Sequence, residues 1–77
     1  MSLKEARLLV IRALGVDEEA KVFPEGFMAS GIGEDCVVIT CTDKAAKNRF
    51  SRILAAKKSE LGGAVVKLEV FKGARPA

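Results

Sequence analysis

Asp43–Leu61 reads DKAAKNRFSRILAAKKSEL, the stretch with the strongest helical periodicity in the chain. Ala46, Phe50, Ile53, Leu54 and Leu61 fall at i, i+4, i+7, i+8 and i+15, which a repeat of 3.6 residues gathers into one apolar stripe. A β-branched run, CVVITCT from Cys36 to Thr42, precedes it. A second strand-like run, Ala64 to Lys72, follows Gly62-Gly63. A helix between two strands is a βαβ unit, with a right-handed crossover if the strands are parallel. Thr42 or Asp43 is placed to cap the helix, and the two glycines to end it.

Both strands carry a readable face. Val37, Ile39 and Cys41 lie on one side of the first, with Cys36, Val38, Thr40 and Thr42 on the other. An apolar side and a half-apolar side suit a central strand. In the last strand Val66, Leu68 and Val70 alternate with Val65, Lys67, Glu69 and Phe71, so the polar residues point away from the helices. Upstream, Ser2-Leu3-Lys4-Glu5 fits a capping box opening a helix that should run to Leu14 and stop at Gly15. Its inward stripe is Leu3, Ala6, Val10 and Leu14, with Ile11 and Ala13 at the margins; Leu8 and Leu9 project away. Residues 16–35 are less legible. Asp17-Glu18-Glu19 suits a further helical turn. Phe23–Gly26 suits a turn, Phe27–Ser30 a short strand, and Gly31–Asp35 the hairpin connection. The expected order is α-β-β-α-β: a two-layer α+β sandwich with about three strands and both helices on one sheet face. Residues 1–73 form one domain in this reading, and residues 74–77 a flexible tail.

This order, with a strand, a basic helix and a final strand ending near a glycine over residues 26–73, resembles the KH-like (type II) modules. It also looks like the small domain of bacterial replicative-helicase loaders of the DciA type. The sequence has neither the Gly-x-x-Gly loop of a KH domain nor the tryptophan common in the loaders. The resemblance is therefore one of pattern and assigns no functional residue.

Composition narrows the function classes. A chain of 77 residues buries only about 60–65% of the surface its unfolded form exposes, so a small core needs a supplement. Histidine is absent, which removes the commonest zinc ligand and general base, and two cysteines alone make a poor metal site. Cys36 and Cys41 lie five residues apart in one predicted strand. At that spacing they stand roughly 17 Å apart, too far for a disulfide. Self-association remains as the expected supplement. Glutamine is absent and Asn48 is the one asparagine, a thermophile-like usage. Charges interrupt the N-terminal apolar stretch and no apolar run reaches about 20 residues, so no signal peptide, membrane span or membrane partner is expected, and the location expected is cytoplasmic.

Catalysis finds little support. Glu18/Glu19 and Glu34/Asp35 are consecutive acids that diverge. Cys36 and Cys41 have no histidine to activate them, and Gly26, Gly31 and Gly33 match no phosphate loop. No enzyme activity, cofactor or metal is expected. Two function classes stay open. Charge is segregated: residues 17–35 hold six acids and one lysine, whereas residues 43–61 hold six bases against two acids. On a helical wheel Lys44, Lys47 and Lys58 share one flank, and Arg49 and Arg52 lie on the other. These five residues are the candidate nucleic-acid contacts, acting through phosphates without reading sequence. Against that stands the lack of tyrosine and tryptophan for base stacking. The other class, slightly ahead, is a non-enzymatic interaction domain, as a homodimer or with a protein partner. Its candidate contacts are Leu8, Leu9, Val65 and Phe71.

Overall fold

Residues 2–72 are described by the computed structural model, so the tail expected at 74–77 lies outside them. The elements follow the order α-β-β-α-β: α1 (Leu3–Leu14), β1 (Phe27–Ile32), β2 (Val37–Cys41), α2 (Lys44–Ala56) and β3 (Val66–Val70). The strands form one mixed sheet in the order β1-β2-β3. β1 runs antiparallel to β2, and β3 runs parallel to it. The helices lie against one face, making the two-layer α+β sandwich expected from the sequence.

Helix α1 is fixed at both ends. Ser2 Oγ accepts from the Glu5 N–H at 3.2 Å, and the Ser2 N–H donates to Glu5 Oε1 at 3.2 Å, completing the capping box. At the far end Gly15 adopts φ 94°. Its N–H bonds Arg12 O at 3.0 Å while Val16 N–H reaches Ile11 O at 2.9 Å, a Schellman closure that buries Val16. Lys57 adds a third fixing point, donating from Nζ to Ala13 O at 3.1 Å. Its ammonium therefore caps the C-terminal end of α1.

Three local expectations change. Asp17–Glu19 forms no helical turn: Asp17 and Val22 exchange backbone hydrogen bonds, both 2.9 Å, around a tight reversal. Asp17 Oδ1 holds the Ala20 N–H at 3.0 Å and Lys21 takes φ 57°, so local side-chain bonding and one left-handed residue outcompete helix formation. β1 continues through Gly31 and Ile32, which pair with Val38 and Val37. The hairpin connection shrinks to residues 33–36, closed by Gly33 N–H to Cys36 O at 2.8 Å. Finally, α2 ends at Ala56, and Lys58–Leu61 is a 3₁₀ turn that still delivers Leu61 to the core against α1. Lys57 has left helical geometry at φ −107°, ψ 21°, with its side chain directed to α1. Asp43 is the cap of α2, accepting from the Ala46 N–H at 2.8 Å.

The core lies between sheet and helices. Val37, Ile39 and Cys41 of β2 meet Val10 of α1 and Phe50 of α2, and each of the five is at most 1% exposed. No polar or charged residue is buried among those described.

Candidate functional site

Of the five basic candidates, the structure separates one from the rest. Arg49 donates from Nη2 to the Glu25 carbonyl and sits over the Phe50 ring at 5.4 Å. Its guanidinium thus ties α2 to the turn that feeds β1. Lys44, Arg52 and Lys58 are exposed and Lys47 is half-buried. Among the described residues none of these four is in an ion pair. Lys47 lies on the β3 side of α2, where it lines a shallow groove with Thr40, Leu68, Glu69, Phe71 and Lys72. Sequence reasoning placed neither Thr40 nor Lys72 there. Their convergence needs the parallel β2–β3 register, which no local pattern states.

The apolar candidates also divide. Leu9 is half-buried, whereas Leu8 is 41% exposed, in a groove closed on its other side by Val16–Ala20. Val65 and Phe71, at 63% and 51% exposure, flank the two ends of β3. Between them Lys67 and Glu69 meet at 3.4 Å. The register sets Lys67 beside Val38 and Glu69 beside Thr40, on the sheet face that no helix covers. Val66, Leu68 and Val70 pair with Val37, Ile39 and Cys41, on the helix face. The β2 trio is 0% exposed, yet the β3 trio is only half-buried, because no strand among the described residues lies outside β3.

Among the described residues, nothing pairs with the outward backbone groups of that edge. Val37 N–H donates to Val65 O at 2.8 Å and Phe71 N–H to Cys41 O at 2.7 Å. A parallel ladder directs alternate residues to the same neighbour. Residues 65, 67, 69 and 71 therefore face β2, and Val66, Leu68 and Val70 aim their N–H and C=O outward.

Neither thiol is part of a disulfide. Cys41 is enclosed under the helices, and burial pushes its pKa up, so the thiol stays protonated at neutral pH. No described helix is long and apolar enough to cross a membrane. Comparison of the chain with models of known protein families, with curated proteins and with solved structures finds no match.

Proposed function

We propose that this chain is a small non-enzymatic interaction domain that associates with a second copy of itself. The observation that carries the reading is the half-covered third strand: an apolar edge strand with Val65 and Phe71 exposed at its two ends. Burying such residues against a partner supplies the apolar area that a 77-residue chain lacks. Sedimentation equilibrium tests it, recorded with interference optics because the chain has no tyrosine or tryptophan. The expected mass is twice 8.2 kDa. A Val65→Ser/Phe71→Ser variant should return to the mass of one chain while keeping its helical signal, since both side chains are exposed. A native protein that stays monomeric at every concentration would overturn the reading.

A second reading has one observation in its favour: Lys44 and Lys47 of α2 and Lys58 of the 3₁₀ turn after it have no carboxylate partners among the described residues. Three phosphate contacts with duplex DNA imply affinity falling about fortyfold between 50 and 200 mM salt. Titration of labelled duplex and single-stranded oligonucleotides at those two salt levels checks it. Binding that ignores salt, or no binding, ends it.

A further inference from the structure

Resting on the self-association reading, we infer that two copies join edge to edge through β3, antiparallel about a two-fold axis that passes beside Leu68. The occupant of this edge is a second copy of the same chain, and the argument comes from parity, charge and cover.

Parity comes first. Val66, Leu68 and Val70 carry the outward backbone groups. An antiparallel partner can satisfy all of them only if even-numbered residues face even-numbered residues. With Leu68 opposite its own copy, Val66 faces Val70 of the second copy and every outward group finds a partner. The residues between them then become the non-hydrogen-bonded pairs, whose side chains stand closest.

Charge selects among the registers that parity permits. With Leu68 on the axis, Lys67 of each copy faces Glu69 of the other. The pair that meets at 3.4 Å within one chain thereby becomes a four-charge cluster of alternating sign. Sliding one strand by two residues sets Lys67 against Lys67 in one direction and Glu69 against Glu69 in the other. Both shifts bring like charges together, so the sequence of β3 is complementary to itself in one register. This register also sets exposed Val65 opposite Phe71 at each end of the seam.

Cover completes the case. The half-buried helix-facing side chains of β3 gain the outer neighbour that makes their β2 counterparts inaccessible. This edge has no proline and no irregular pairing among the described residues, and its one lysine is matched by Glu69. β1, the other edge strand, has a register shift between Phe27 and Ala29, the irregularity that discourages edge pairing. The opposing influence is Lys47 of each copy, which lies beside the seam. Its flexible stem lets the ammonium turn to water.

Dimer dissociation constants of the native chain, Lys67→Glu, Glu69→Lys and the Lys67→Glu/Glu69→Lys swap test the inference, alongside amide hydrogen exchange at Leu68. Each single substitution should weaken the dimer by roughly tenfold or more, because both symmetric pairs become like-charged. The swap should restore it to within about threefold, and the Leu68 amide should be protected in the dimer. Lys67 and Glu69 are exposed, so an unchanged circular dichroism spectrum is expected throughout. A native dimer indifferent to all three variants, with a fast-exchanging Leu68 amide, overturns edge pairing and leaves self-association through another surface. A native monomer overturns both.

Discussion

Gly26 shows how much of this fold rests on single positions. Its φ of 91° closes the turn in which Phe27 N–H bonds Pro24 O at 3.1 Å. Its carbonyl accepts from the Thr42 N–H at 2.9 Å, and a Cβ there would run into the Ala46 side chain and come within 2.8 Å of the Arg49 guanidinium. Gly15 has a similar φ of 94° but open space around its Cα. Gly26→Ala should therefore cost about 2–4 kcal/mol, from backbone strain and a steric clash together. Gly15→Ala should cost only about 1 kcal/mol, from the left-handed backbone alone. Urea denaturation of the two variants compares them, and equal losses would show that the clash at Gly26 relaxes freely. Both positions were legible in the sequence as turn glycines. Their inequality was not, because the atoms that crowd Gly26 come from a helix some twenty residues downstream. Arg49 repeats the lesson. Its place on a basic helix makes it a candidate phosphate contact, but its bond to the carbonyl of Glu25, 24 residues upstream, could not be read from that helix.

Among the elements, the two helices were the easiest to read because their signals are local. Apolar spacing, a capping box and a terminal glycine all lie within one segment. The capping box also predicts a pH response. Glu5 accepts hydrogen bonds from the Ser2 backbone N–H and from the Ser2 hydroxyl, and these hold its carboxyl below the ordinary glutamate value of 4.5. A depressed carboxyl stabilises the fold above the unfolded pKa, and that contribution disappears as pH falls through the folded one. Glu5→Gln should thus show a shallower loss of melting temperature on acidification from neutral pH than the native chain. Parallel pH profiles would count against the box. Residues 17–19 were misread for the opposite reason. The acids there look like a helix start, but Asp17 bonds the backbone three residues on, and only the Lys21 conformation reveals the reversal. Faces of strands were legible from alternation, whereas the ends of β1 and α2 were decided by pairing and by a lysine crossing to α1.

On the scale of the whole molecule, the candidate surface was half legible. Alternation identified Val65 and Phe71, and the central character of β2 put β3 outside it. The complementarity of Lys67 and Glu69 gains meaning only once β3 is known to be an edge strand. Topology also orders assembly. β1 and β2 are joined by residues 33–36 alone, while β2 and β3 are separated by residues 42–65, the whole of α2 included. Short closures are entropically cheaper and form sooner. In pulsed hydrogen-exchange refolding, Val38, whose amide faces β1, should acquire protection with the hairpin, and Glu69 and Phe71 afterwards. Simultaneous protection of all three would contradict this order. With that order, the parallel strand beyond Gly62-Gly63 would behave as a detachable part. Until it docks, the central strand is itself an open edge, and its vacancy has the shape of one particular peptide, VKLEV. A chain cut at those glycines would be a receptor for its own missing piece, and the strand proposed to join two molecules would also be the one able to make a single molecule whole.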